Sequence, residues 1–443
     1  MMTNSFPADF VAQVFHLLGD VEGKELLASL SEPALTSIRI NPLKITPKEL
    51  QPVPWCASGY YLPERLTFTF DPLFHAGAYY VQEASSMFLE QAVNQCVKEP
   101  ALALDLCAAP GGKSTHLRSL LPEGSLLVAN EVIRNRSQIL AENITKWGHP
   151  DVMVTNNDPA DFGRAGVQFD FILADVPCSG EGMFRKDEGA INEWSPANVE
   201  ICRQRQRRII ADIWPCLKPN GILVYSTCTF NTKENEENVG WIMNELGAQA
   251  LKLEIPEDWG VTGNLAGKDF DVYRFLPHKV KGEGFFMAVL QKKEDNAPSA
   301  NVGVKEMLRK KMKKAPKDEL VLHSSYYCHQ QDIIVQKMRV LQSGVLLGEA
   351  KGKDIIPSQA LAMADVAARD SYPRMDVTYE QAIAYLRRET IVPELAAPRG
   401  YILLTYKDIP LGFVKNIGNR ANNLYPSEWR IRSGYLPEEI RTL

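Results

Sequence analysis

Between residues 79 and 292, short apolar runs alternate with polar stretches long enough for a helix, and this alternation limits the chain to few folds. The runs cover residues 102–106, 126–129, 152–154, 169–174 and 222–225. A short unbroken apolar run suits a strand buried on both faces. Helix-length connections between such strands make neighbours parallel, so βαβ units around a mainly parallel α/β sheet are expected. Loops at the carboxyl ends of parallel strands share one crevice. Three such loops gather chemistry here. One runs Cys107-Ala108-Ala109-Pro110-Gly111-Gly112-Lys113, one ends Asp175-Val176-Pro177-Cys178, and one ends Ser226-Thr227-Cys228.

At 443 residues the chain exceeds one compact core, and several domains are expected. Residues 1–75 read as a small mixed segment, helical around 10–30 and extended near 37–40. Residues 76–293 form the core, 294–318 a basic linker, and 319–443 a C-terminal region of short strands, turns and one helix at 379–388. Within the core, Ser195-Pro196 starts a helix as N-cap and first-turn proline. Its apolar stripe runs Val199, Ile209, Ile213, Leu217 until Pro219-Asn220-Gly221 stops it. Residues 285–290 read as the core's last strand. No run of 18 apolar residues occurs, and the first residues lack a charged start and apolar stretch, so neither a membrane span nor a secretion signal is expected. The eight cysteines include no Cys-x-x-Cys pair, which argues for free thiols in a cytoplasmic protein and against a metal site or disulfide framework.

The net charge of −5 does not favour nucleic acid. Local patches do: Arg203, Arg205, Arg207 and Arg208, and a run of Lys305, Arg309, Lys310, Lys311, Lys313, Lys314 and Lys317. Each could equally be a solvated face.

Gly111-Gly112-Lys113-Ser114-Thr115 is a glycine turn between strand and helix, which lets a ligand approach backbone amides at a helix N-terminus. Glu131 ends the next strand 19 positions after Gly112, where an acid can grip ribose hydroxyls. Gly-x-Gly-x-x-Gly is absent, which disfavours nicotinamide and flavin cofactors. A phosphate-binding P-loop competes, because Gly112-Lys113-Ser114 fits its end and 171–175 could pose as the magnesium-binding strand. Its opening glycine would be Cys107, however, and Pro110 removes an amide. Asp158 follows 152–154 at a third strand end, suited to an adenine amine or simply to a turn. Cys56, Cys96, Cys202, Cys216 and Cys328 read as inert small apolar residues. Cys178 and Cys228 lie beyond strand tips. A thiolate there, near Asp175 and a cofactor, could attack an electron-poor ring.

Residues 104–113, Asp175-Val176-Pro177-Cys178-Ser179-Gly180 and Tyr225-Ser226-Thr227-Cys228-Thr229 together resemble the NOP/Sun family of RNA 5-methylcytosine methyltransferases. Tyr80-Val81-Gln82-Glu83-Ala84-Ser85-Ser86 and Gly282-Glu283-Gly284-Phe285-Phe286 resemble further blocks of it. The C-terminal region resembles the bacterial RsmF-like ribosomal-RNA branch, whose tail carries a PUA-like module; Gly412-Phe413-Val414-Lys415 and Asn422-Asn423-Leu424-Tyr425-Pro426 carry that likeness. Ser427-Glu428 departs from it where a basic residue is expected.

The resemblance implies a Rossmann-like methyltransferase core using S-adenosyl-L-methionine, flanked by RNA-binding segments. It implies Cys228 as nucleophile on cytosine carbon 6, Cys178 in product release, Asp175 at ring N3, and Lys113 near the thiols. An unshifted Asp is ionised near neutral pH, so donating a proton at N3 would need a raised pKa or a protonated base. The cofactor would lie across Ala108, Ala109, Pro110, Gly111, Gly112, Lys113, Glu131, Arg136, Asp158 and Asp175. The implied partner is small-subunit (16S) ribosomal RNA, naked or within the assembled subunit, with no DNA or membrane and a monomeric enzyme. Transfer RNA is the alternative substrate, and an RNA-binding assembly factor without turnover the alternative class.

Overall fold

A computed structural model describes residues 6–46, 49–294, 319–322, 328–352, 354–392, 397–436 and 439–443. The lysine-rich run and the Cys328 side chain lie outside the described residues.

The chain opens with helix Ala8–Ser29, broken at Gly19, where φ is 75°. Its buried Phe10, Val14 and Leu26 pack against Phe184, Trp194 and Val199 of the core, so the first segment is seated on the core. β1 (Ser37–Ile40), β2 (Gln51–Val53), β3 (Cys56–Tyr61) and β4 (Tyr79–Val81) form an antiparallel sheet in the order β2-β3-β1-β4. This sheet runs past residue 75, because Ile38 to Ile40 pair with Val81 to Tyr79. A three-residue strand is too short to show a period in sequence.

β5 (Leu102–Asp105), β6 (Leu126–Asn130), β7 (Val152–Thr155), β8 (Phe169–Asp175) and β9 (Leu217–Thr227) are parallel, in the order β7-β6-β5-β8-β9. β10 (Ala248–Ala250) and β11 (Tyr273–Phe275) both pair with β12 (Phe285–Lys292), which lies antiparallel to β9. Alternate residues feed two cores. Ala103, Phe171 and Leu173 face one, while Leu102, Leu104, Ile172 and Ala174 face the other, so both faces are covered and the strands are apolar throughout. Strand order reverses between β5 and β8, and at such a switch point the strand ends open a crevice.

Helix Pro196–Ile213 begins as expected, with Asn198 N–H donating to Ser195 Oγ at 3.1 Å. It stops sooner than expected. Pro215 supplies no N–H to continue the ladder, a single tight turn at Trp214–Cys216 follows, and Leu217 starts β9 opposite Phe169. Pro219-Asn220-Gly221 sits within an irregular stretch of that strand, where Asn220 has φ 61°.

β13 (Glu319–Leu322) joins β15 (Val345–Lys351) and β16 (Asp354–Pro357), while β14 (Val340–Ser343) returns to the central sheet and covers the edge of β7. β17 (Arg374–Asp376), β18 (Gly400–Tyr406), β19 (Ile409–Asn416) and β20 (Ala421–Asn423) form a last sheet against helix Tyr379–Leu386. The expected helix is there, and two more, Cys328–Lys337 and Gln359–Met363, flank the junction with the core. The sequence blocks at 412–415 and 422–426 meet in the β19–β20 ladder, where Lys415 faces Asn422. No helix among the described residues is long and apolar enough to cross a membrane.

Candidate active site

The turn after β5 is built by its glycines. Gly111 has φ 119°, a conformation glycine adopts freely, and a side chain on Gly112 would meet Tyr80 at 3.1 Å. Helix Gly112–Leu120 then presents its N-terminus to the crevice. Ser114 Oγ donates to Asp105 Oδ2 at 2.6 Å, and burial pushes Asp105 up to about 7. Ala108 N–H donates to Asn130 O at 2.8 Å. Arg136 Nη2 donates to Ala109 O at 2.8 Å, while Nη1 stands 3.7 Å from Glu131 Oε2. Asn143 Nδ2 donates to Pro110 O at 2.8 Å. These contacts assemble Ala108, Ala109, Pro110, Gly111, Gly112, Glu131 and Arg136 at one strand edge. Asp158 stands at the end of β7 as the N-cap of helix Pro159–Ala165, its Oδ1 accepting from Ala160 N–H at 3.1 Å.

β8 and β9 are neighbours with Asp175 opposite Ser226, so residues just past their ends converge. Cys178 Sγ and Cys228 Sγ lie 3.2 Å apart, and Cys228 N–H donates to Cys178 Sγ at 3.3 Å. The hydrogen bond to Cys228, then burial, holds the Cys178 thiol well above its ordinary range. Asp175 Oδ2 accepts from Lys113 Nζ at 2.9 Å, and Oδ1 accepts from Ser226 Oγ at 2.8 Å. Burial pulls the Lys113 ammonium down, but the charge of Asp175 and the hydrogen bond to it outweigh this and leave the group raised and positive. The structure thus brings all four expected catalytic side chains together.

Sequence reasoning missed what holds the two thiol loops. Buried Glu181 accepts from Phe230 N–H at 2.7 Å, Asn231 N–H at 3.0 Å, Trp194 Nε1 at 3.0 Å and Gln13 Nε2 at 2.9 Å. Glu234 accepts from Ser179 N–H at 3.0 Å and Gln206 Nε2 at 2.6 Å, which ties the Cys178 loop to the Cys228 loop. Their signal was proximity: Glu181 follows Cys178 by three residues and Glu234 follows Cys228 by six. It also missed Arg39 on β1. Fully buried, Arg39 donates through Nη2 to Gly112 O at 3.1 Å and Thr115 Oγ1 at 2.5 Å, and through Nε to Gln82 Oε1 at 2.9 Å. Its guanidinium stacks on Trp147 at 4.3 Å. Of the arginine cluster, Arg203 pairs with Glu200 and Glu237 and Arg207 bonds Asn238, while Arg205 and Arg208 are exposed.

A parallel sheet of this order, with a glycine turn and paired thiols at its carboxyl edge, defines a Rossmann-like methyltransferase. A solved methyltransferase homologue from Pyrococcus horikoshii superposes with TM-score 0.56 at 28% identity, covering 65% of this chain and 96% of its own. NSun6 from the same organism, solved with SFG, shares the fold at TM-score 0.57 and 23% identity, over 66% of this chain and all of its own. Three family models match in order: the N-terminal domain of 16S rRNA methyltransferase RsmF at 6–84, 16S rRNA methyltransferase RsmB/F at 94–291, and the RsmF PUA domain at 372–431. Ribosomal RNA small subunit methyltransferase F of Cronobacter sakazakii is 31% identical over 93% of both chains, and that of Erwinia tasmaniensis 30% identical over 97% of this chain and 98% of its own. The chain belongs to the ribosomal RNA small subunit methyltransferase F family.

Proposed function

We propose that this enzyme methylates carbon 5 of a cytosine in small-subunit (16S) ribosomal RNA, through a covalent bond between Cys228 and the base. The observation that carries this reading is the pair of thiols 3.2 Å apart, beside a Lys113–Asp175 pair at 2.9 Å. Carbon 5 of cytosine is a poor nucleophile. A Cys228 thiolate adding to carbon 6 makes it enamine-like. S-adenosyl-L-methionine, when bound, supplies a methyl group on a sulfonium. The turn fits it: Gly111 and Gly112 lead without side chains into the N-terminus of helix Gly112–Leu120, and Glu131, whose Oε1 accepts from Ile133 N–H at 2.9 Å, keeps Oε2 3.7 Å from the Arg136 guanidinium. Glu131 would hold the ribose, Ala108–Lys113 and Arg136 the rest of the cofactor, and Asp158 the adenine amine with the oxygen not used in capping.

Asp175 would accept from N3 of the base once that nitrogen carries a proton, and Lys113 keeps a positive charge beside it as electrons shift. After transfer, carbon 5 gives its proton to solvent water, the bond between carbon 6 and Cys228 Sγ breaks, and Cys228 departs as thiolate. Cys178, held as a thiol, assists that departure. The base must be unpaired or flipped out to reach these groups. The basic linker and the C-terminal region, with the N-terminal segment, would hold the RNA. The enzyme would act as a monomer in the cytoplasm.

The test is a denaturing gel of Cys178→Ala purified from cells, with and without ribonuclease. A slow, nuclease-sensitive RNA adduct that disappears in Cys178→Ala/Cys228→Ala is expected. Methyl transfer that persists in Cys228→Ala would overturn the nucleophile assignment.

A further inference from the structure

A second cluster of ligating side chains lies behind the cofactor turn. Cys56 on β3, Glu90 on helix Leu89–Cys96 and His116 on helix Gly112–Leu120 are all buried, and their donor atoms lie within 4.8 Å of one another. Cys56 Sγ is 3.6 Å from His116 Nε2, and His116 Nε2 is 3.2 Å from Glu90 Oε2. We propose that Cys56, Glu90 and His116 bind one zinc ion that ties the N-terminal sheet to the helix carrying the cofactor turn.

The spacing is what a tetrahedral ion needs. Zinc bonds of about 2.3 Å to sulfur and about 2.0–2.1 Å to nitrogen and oxygen set a sulfur–nitrogen edge near ~3.6 Å and a nitrogen–oxygen edge near ~3.3 Å. The donors are a soft thiolate, an imidazole and a carboxylate, a set that suits zinc over magnesium or calcium. Ser58 Oγ, 3.8 Å from Cys56 Sγ, is positioned to offer a fourth oxygen. His116 Nδ1 is buried without a hydrogen-bond partner, so Nε2 carries all of the ring's polar contacts.

Charge works in both directions. Without metal, burial pushes the Cys56 thiol up to about 12 and His116 down to about 4, so thiol and imidazole are both neutral. Binding releases the Cys56 proton and moves the imidazole proton to Nδ1. A thiolate and a carboxylate then neutralise the dication in a dry site. Arg39 stands beside Cys56 and Glu90, and its fixed charge limits the affinity. The metal-free alternative is a hydrogen-bonded triad in which Cys56 and His116 both donate to Glu90.

The experiment is a titration of the full chain with cobalt(II), a spectroscopic stand-in for zinc. It uses a Cys228→Ser background so that the paired active-site thiols do not compete. One equivalent giving a thiolate-to-cobalt charge-transfer band, displaced by zinc, is expected. The band should be lost in Cys56→Ser and in His116→Gln. Zinc should also raise the melting temperature of the background protein by several degrees, a readout that needs no ligand substitution. No charge-transfer band, or a band that survives both substitutions, would overturn the proposal. A zinc-independent melting temperature would do so as well.

Discussion

Asp105 ends β5 with no exposed surface; one of its oxygens is held by Ser114 and the other, Oδ1, has no hydrogen-bond partner. Burial is the largest cause of its rise from 3.8 to about 7. The folded chain therefore keeps a proton there that the unfolded chain has released above about pH 4, so stability falls as pH rises from about 4 to about 7. Between pH 5 and pH 8 the loss attributable to this group is on the order of 2–3 kcal/mol. Asp105→Asn keeps the acceptor for Ser114 and removes the titration. Its melting temperature should fall less than that of the wild type between pH 5 and pH 8, in scanning calorimetry of the cofactor-free protein. Equal falls would remove Asp105 as the source. The thiols make the complementary point. Their identity as candidates came from position beyond strand tips, while the contact between them depends on β8 and β9 being neighbours.

Among the elements, β1 shows how a strand can act on a loop it does not adjoin in sequence. Ser37-Ile38-Arg39-Ile40 is buried at every position, so Arg39 has no solvent to point into. Its Nε and Nη2 bond Gln82, Thr115 and the Gly112 carbonyl, so it fixes the cofactor turn from the N-terminal sheet. Lysine cannot reproduce a planar fork that bonds two partners and stacks on Trp147. Arg39→Lys should weaken S-adenosylmethionine binding by about tenfold, the cost of roughly 1.4 kcal/mol of lost positioning. Single-turnover methylation at saturating cofactor should change much less. Calorimetric titration checks the first part, and unchanged affinity would show that the turn holds its shape without Arg39. An alternating strand ordinarily turns an arginine such as Arg39 toward solvent. Its burial follows because β3 and β4 flank β1 on both edges and helix Gly112–Leu120 closes over its face.

For the whole molecule, RNA has to be held by a protein of net charge −5. Attraction must therefore come from local patches. Two of the four clustered arginines, Arg203 and Arg207, are already engaged within the core, which shifts weight to Arg205, Arg208 and the lysine run. Replacing Lys310, Lys311, Lys313 and Lys314 with Gln should leave the melting temperature unchanged. It should flatten the dependence of log affinity on log salt by up to about 3, if each neutralises one phosphate of single-stranded RNA. Filter binding across a salt series measures this, and an unchanged slope would place the phosphate contacts elsewhere.

The sequence by itself determined the parallel core and named the four residues proposed for catalysis. Apolar runs and glycine turns are local properties, and order along the chain fixes which loops reach the carboxyl edge. It also carried the family, because the blocks around Cys107–Lys113, Cys178 and Cys228 occur together and in order. Only the tertiary structure decided which distant groups touch. Leu217 left its predicted helix because Pro215 ends the helix and Phe169 offers a strand partner. β14 crossed back to cover β7, a pairing separated by nearly two hundred residues that no local period encodes. Cys56, read as inert from sequence, meets Glu90 and His116 only because β3 and two helices pack around one buried point. Long-range contacts of this kind depend on burial and strand order, and neither is written in the spacing of the residues that make them.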